Sequence, residues 1–99
     1  MLLAFSITPI GAGESVSEAV AAAVRVVRAS GLPNETNAMF TNVEGSWDEV
    51  MGLLRECVDA VAEQAPRVSV VAKVDYRPGT HDQLQAKVEK VEQQLRAEP

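Results

Sequence analysis

Ser30-Gly31-Leu32-Pro33-Asn34-Glu35-Thr36-Asn37-Ala38-Met39-Phe40-Thr41-Asn42-Val43-Glu44-Gly45-Ser46-Trp47-Asp48-Glu49-Val50-Met51 reads as a helix end, two short extended segments and a helix start. Gly31 supplies the left-handed stop of a helix, and Pro33 prevents its continuation. Asn34 to Ser46 is too long and too polar for one buried strand. It divides into a hairpin, Asn34–Asn37 and Phe40–Gly45, reversing near Ala38-Met39. No Asn-Gly pair specifies the turn, so the register stays open. Ser46-Trp47-Asp48-Glu49 is a capping box, in which the serine and the glutamate each satisfy a free backbone N–H. Uncharged hydrogen-bonding side chains thus fall inside strand segments. Such groups cost free energy when they leave water unpaired, so the sheet face that carries them is either wetted or offered to a ligand.

Working outward, Leu2 to Thr8 alternates, with Leu3, Phe5 and Ile7 on one face and Ala4, Ser6 and Thr8 on the other. Pro9 to Gly13 breaks the strand, and Ser15-Val16-Ser17-Glu18 is a second capping box. Val16, Val20, Ala23, Val24 and Val27 recur at helical spacing and predict one apolar stripe. Beyond Ser46 the stripe is Val50, Leu53, Leu54, Cys57, Val58 and Val61, closed by Pro66. Val68 to Tyr76 alternates again, placing Val68, Val70, Ala72, Val74 and Tyr76 opposite Ser69, Val71, Lys73 and Asp75. Arg77-Pro78-Gly79 turns the chain, and Thr80 to Gln83 forms a Thr-x-x-Gln box before a helix striped by Leu84, Val88, Val91 and Leu95.

The order βαββαβα, with a faint echo between Gly13–Glu18 and Gly45–Glu49, predicts an α+β fold. It is a ferredoxin-like βαββαβ plait over residues 1–99 as one domain. Its four-stranded antiparallel sheet carries two helices on one face and leaves the other open, with a C-terminal helix added. In that plait the first strand is central, and Ser6 and Thr8 are expected beside Asn42 and Glu44 on one side and Lys73 and Asp75 on the other.

Ninety-nine residues, 46% of them hydrophobic, suffice for a core without staples. One cysteine cannot form an internal disulfide, which points to a reducing, cytoplasmic setting. The apolar start, Met1 to Phe5, has no basic residue and is too short for a signal peptide or membrane span. A net charge of -5 argues against nucleic acid and anionic membranes and suits a neutral or cationic ligand.

The residues resemble those of the small thiamine-binding protein family. The likeness runs through Phe5-Ser6-Ile7-Thr8-Pro9-Ile10-Gly11, Ser15-Val16-Ser17 and Ser30-Gly31-Leu32-Pro33. It continues through Met39, Thr41, Val43-Glu44-Gly45 and Trp47-Asp48-Glu49-Val50-Met51, and then Arg67-Val68-Ser69, Lys73-Val74-Asp75-Tyr76-Arg77 and Lys87-Val88. The resemblance implies a ferredoxin-like oligomer that binds thiamine or its hydroxymethylpyrimidine part and is not a catalyst. It also implies assembly into dimers or tetramers by joining sheets. Two positions depart from the pattern: Asn34 stands where an aromatic residue is expected, and Phe40 where a small one is frequent. Both reshape the expected pocket.

An aminopyrimidine presents an amino donor beside a ring-nitrogen acceptor, which carboxylate, hydroxyl and amide groups match, while an aromatic ring stacks on its face. The expected contacts are Ser6, Thr8, Asn37, Thr41 and Glu44, with Phe40 or Trp47 stacking. A thiazolium cation favours Glu44 or Asp75 nearby. The bland alternative is a polar face wetted by solvent or paired with another subunit. Trp47, in the first turn of a helix, reads first as a staple of that helix to the sheet and second as a face for a partner.

The loop Pro9-Ile10-Gly11-Ala12-Gly13 lacks the lysine and glycine spacing of a phosphate loop, so a plain turn is the expectation there. Cys57 reads as core, His81 as a solvated helix-start residue, and Lys73, Asp75 and Arg77 as a charge network. One histidine and one cysteine cannot build an ordinary metal site in a monomer. No cofactor beyond the thiamine-like ligand is expected. The leading expectation is a cytoplasmic, non-catalytic carrier, buffer or sensor that self-associates. The alternatives are a phosphate-ester enzyme of acylphosphatase type, for which the loop has no arginine, and a purely regulatory oligomer.

Overall fold

The computed structural model describes residues 1–14 and 16–98; the predicted capping box at Ser15 therefore lies outside the described residues. The elements are β1 (Leu2–Ile10), α1 (Val16–Ala29), β2 (Asn34–Thr36), β3 (Thr41–Glu44), α2 (Trp47–Ala62), β4 (Arg67–Asp75) and α3 (Gln83–Arg96). The sheet is antiparallel in the order β2-β3-β1-β4, as the ferredoxin-like plait requires. Gly31 adopts φ 78, the left-handed backbone that ends α1.

The core lies between one sheet face and the pair α1 and α2. Leu3, Phe5 and Val43 meet Ala19, Ala23 and Val27 of α1 and Val50, Leu53, Cys57 and Val61 of α2, all buried. Fully burying one such aliphatic side chain contributes roughly 1.5–3 kcal/mol. Of the predicted α2 stripe, Val50, Leu53, Cys57 and Val61 are buried and Leu54 packs against the core, but Val58 does not, and Met51 packs there instead. On α1 the stripe is rotated: Val16 and Val20 are exposed, and Ala19 stands in the core instead. Small alanines let α1 approach α2 closely, whereas Val20 and Val24 lie on the side turned toward the β2–β3 hairpin.

The start of α2 forms as its sequence predicts. Ser46 Oγ accepts the Glu49 N–H at 3.2 Å, and the Glu49 carboxylate accepts the Ser46 N–H at 2.9 Å. This capping holds the Glu49 carboxyl below the ordinary carboxylate range.

The start of α3 differs from expectation. The helix begins at Gln83, and its N-cap is Asp82 in a left-handed conformation with φ 56 and no side-chain cap bond. Thr80 does not cap; its hydroxyl donates to the Arg77 carbonyl at 2.7 Å, closing the turn that the prolyl-glycyl pair opens.

A second correction concerns the face opposite α1 and α2. It is not wholly open, because α3 starts on it. The Glu44 carboxylate, on that face, accepts the backbone N–H groups of Gln83 at 2.8 Å and Leu84 at 3.1 Å. Lys87 pairs with Asp75 on the same face. Among the described residues no helix is long and apolar enough to cross a membrane.

Candidate functional site

The register decides which polar residues can meet. Along β1, Leu2 faces Glu44 and Asp75, and Ala4 faces Asn42 and Lys73. Ser6 faces Val71, and Thr8 faces Ser69. The pairing of β1 with β3 stops at Phe5–Thr41, so Ser6 and Thr8 have no β3 neighbour. The expected adjacency of Ser6 and Thr8 to Asn42, Glu44, Lys73 and Asp75 is thus corrected. Ser6 and Glu44 share a face but sit about 13 Å apart along the strand, at 3.2–3.4 Å rise per residue. The hairpin is shorter than the strand beside it, and that offset could not be read without the register.

Glu44 is already occupied. Its side chain is buried at 7% exposure, and both carboxylate oxygens accept N–H groups of the first turn of α3. A carboxylate at a helix N-terminus offsets the positive end of the backbone dipole, so this pairing satisfies both partners. Trp47 stands at the same end, half exposed, with its ring edge-on to Tyr76 at 6.5 Å and 86°. It flanks a groove with Met1, Pro33, Glu44 and Arg77.

The remaining predicted residues, apart from exposed Thr8, gather at the other end. Asn37, Phe40 and Thr41 line a hollow of about 240 Å³ between α1 and the hairpin; Ser6 borders it, although its side chain alternates to the sheet face opposite Phe5 and Thr41. Thr41 and Val43 point toward the helices, because Thr41 is paired directly with the inward-facing Phe5. Thr41 is buried, and its Oγ1 lies 3.3 Å from the Oγ1 of Thr36, its cross-strand partner. Apolar walls come from Phe5, Ile7, Val20 and Val24.

Asn37 has a further task. Its Oδ1 accepts the N–H groups of Met39 and Phe40, each at 2.9 Å, and its own N–H donates to the Phe40 carbonyl at 2.9 Å. An asparagine that ties the residues two and three positions on to itself makes a turn without glycine. That explains how Ala38-Met39 reverses the chain, and it holds Phe40 in the lining of the hollow.

Thr36, Val20 and Val24 were missed as lining residues. The signal for Thr36 lies in the hairpin: a reversal at Ala38-Met39 pairs residues symmetrically about it, which sets Thr36 opposite Thr41. No comparable signal marks the two valines, since an apolar residue at helical spacing reads as core wherever it points.

At the Pro9–Gly13 loop, Gly11 has φ 82, and a Cβ there would meet Pro66 Cγ at 2.8 Å. Close packing of two chain reversals accounts for that glycine. Cys57 is buried in the core, its thiol donating to the Ala23 carbonyl at 3.5 Å.

Comparison with known proteins follows the same outline. The family model described as "Thiamine-binding protein" matches residues 3–92. A UPF0045 protein of Mycobacterium bovis is 57% identical over 96 residues, which covers 96% of this chain and 94% of that protein. The solved structure of a hypothetical protein from Methanocaldococcus jannaschii matches with a TM-score of 0.82 at 33% identity, covering 92% of this chain and 94% of that one. A domain of unknown function from Bacillus cereus matches with a TM-score of 0.83 at 31% identity, covering 90% and 86%. The chain belongs to the thiamine-binding protein family.

Proposed function

We propose that the protein binds thiamine or its hydroxymethylpyrimidine moiety without turning it over, as a cytoplasmic carrier, buffer or sensor. In a chain of this family, the observation that carries the reading is the hydroxyl pair of Thr36 and Thr41 beside Phe40, within an apolar hollow. Each hydroxyl has one donor and two acceptor positions, and the two spend only one long contact on each other. An aminopyrimidine edge asks for one acceptor and one donor side by side, and the pair retains both. Phe40 in the lining supplies a ring for stacking.

Size supports the pyrimidine as the inserted part. A hollow of about 240 Å³ falls below the ~300–1,000 Å³ usual for drug-sized ligands, so it takes one ring and leaves the rest of the vitamin at the mouth. A net charge of -5 favours the thiazolium cation outside it.

Calorimetric titration with thiamine, its phosphates and hydroxymethylpyrimidine tests the reading. Thr41→Val, which keeps the shape and removes the hydroxyl, is expected to weaken binding about tenfold. Unchanged affinity in both Thr36→Val and Thr41→Val removes this hollow from the function. No heat with any of the three ligand types removes the function itself.

Self-association accompanies this reading. β4 is an edge strand of nine residues with Val70, Val71 and Val74 exposed. Long apolar edges invite pairing with another chain, and a second copy of this one satisfies them symmetrically. Sedimentation at micromolar concentration is expected to give a dimer or tetramer; a monomer counts against it.

A further inference from the structure

α3 is attached to the rest of the molecule in an unusual way. None of its residues is buried. Its own N-cap residue, Asp82, makes no side-chain cap bond, so the free N–H groups of Gln83 and Leu84 are satisfied by Glu44 from β3 instead. One turn further on, Lys87 reaches Asp75 of β4. Between these two anchors lies a hollow of about 280 Å³, where Leu84 and Val88 stand over Leu2, Ala4, Asn42 and Lys73 without closing on them.

A helix of 14 residues has little stability by itself in water, since nucleation is costly and few residues share that cost. The first turn of α3 is completed only when the helix lies on the sheet. Helix formation and docking are therefore one equilibrium.

We propose that α3 is a hinged strap, clamped by Glu44, that leaves the sheet and melts as a unit while the plait beneath stays folded. When closed it roofs the Leu2–Ala4–Asn42 floor of the sheet; when open it bares that floor and frees the Glu44 carboxylate. The device is independent of the ligand reading, because the hollow lined by Thr36 and Thr41 lies between α1 and the hairpin, on the sheet face opposite the one α3 covers. Local opening below the global unfolding free energy is expected of an element with few buried contacts and exposed backbone.

Amide hydrogen exchange of the full chain at neutral pH, read by mass spectrometry, tests the strap. In the wild type the α3 amides are expected to exchange together, at least ~100-fold faster than those of α2. Glu44→Gln is expected to speed α3 a further ~10-fold and leave α2 and β1 unchanged. Lys87→Ala, which leaves the clamp intact, is expected to speed α3 by only ~2–3-fold. Exchange of α3 and α2 at one common rate overturns the proposal, and so does a Glu44→Gln variant in which all elements accelerate equally. Should Glu44→Gln fail to fold, the wild-type ratio and Lys87→Ala decide the matter.

Discussion

The Glu44 carboxylate accepts the backbone N–H of Gln83 at 2.8 Å across 39 residues of chain, so the first turn of α3 is capped from the sheet rather than by its own sequence. Glu44→Ala removes the acceptor for two N–H groups at once. Each charge-assisted bond of this kind contributes about 1.5–3 kcal/mol, more than an exposed 14-residue helix holds in reserve. The expected outcome is loss of α3. Because α1, α2 and α3 have 14, 16 and 14 residues, helical ellipticity near 222 nm should fall by about a third. Full ellipticity in the variant contradicts this.

The second anchor responds to pH. Hydrogen bonding to Lys87, then its charge, with smaller help from Lys73 and Arg77, holds the Asp75 carboxyl below its usual range. A carboxyl whose value is depressed in the folded state stabilises that state above its unfolded value, about 3.9, and the contribution is lost as pH falls through the folded value. Docking of α3 should therefore be steady from neutrality down to about pH 5 and loosen below about pH 4. Carboxyl carbon shifts followed by NMR give the titration directly, and in Asp75→Asn the contribution from this residue should vanish. Added salt should weaken the pair at neutral pH, since both side chains are about half exposed.

Cys57 should be inert. Burial, with a minor contribution from the Glu56 charge, pushes its thiol up to about 11. Against an ordinary value near 8.5, the thiolate fraction at pH 8 is lower by about two orders of magnitude. Alkylation by iodoacetamide in native conditions is expected to be at least ~100-fold slower than in denaturant. Rapid native labelling would mean that the α1–α2 seam opens.

Ser46 caps α2 through both halves of its box. Ser46→Ala is expected to cost about 1 kcal/mol, within a range of about 0.5–2 kcal/mol, measured by urea unfolding. The Glu49 carboxyl should stay below its ordinary range, since the backbone N–H at position 46, which alanine keeps, is the larger cause, and only the smaller side-chain contribution is lost.

Much of the plait was legible in the chain. Alternation set the inward face of β1, the Ser46-Trp47-Asp48-Glu49 box marked the start of α2, and Gly31-Leu32-Pro33 marked the end of α1. The α2 stripe carried over apart from Val58. What stayed hidden depends on quantities that local pattern does not encode. The offset between β1 and β3 parted Ser6 from Glu44, and it follows from where the hairpin turns and how far the short strands reach. The rotation of α1 brought Ala19 inward and left Val20 facing the hairpin, because close helix–helix approach rewards the smaller residue. Glu44 read as a ligand contact because a carboxylate on an uncovered sheet face has few other partners. Only the arrival of α3, whose own cap is missing, gives it one.

The strand synthesised first, β1, pairs along its whole length with β4, the last strand to be made. Only its first half, through Phe5, pairs with β3. During translation Ser6 to Ile10 must wait for Arg67 to Val71 to emerge, since no earlier segment pairs with them. Closing so large a loop is the slow entropic step in assembling such a topology. Nascent chains stalled before β4 should expose that half of β1 to chaperones, and release of the last strand becomes the moment at which the molecule commits to its shape.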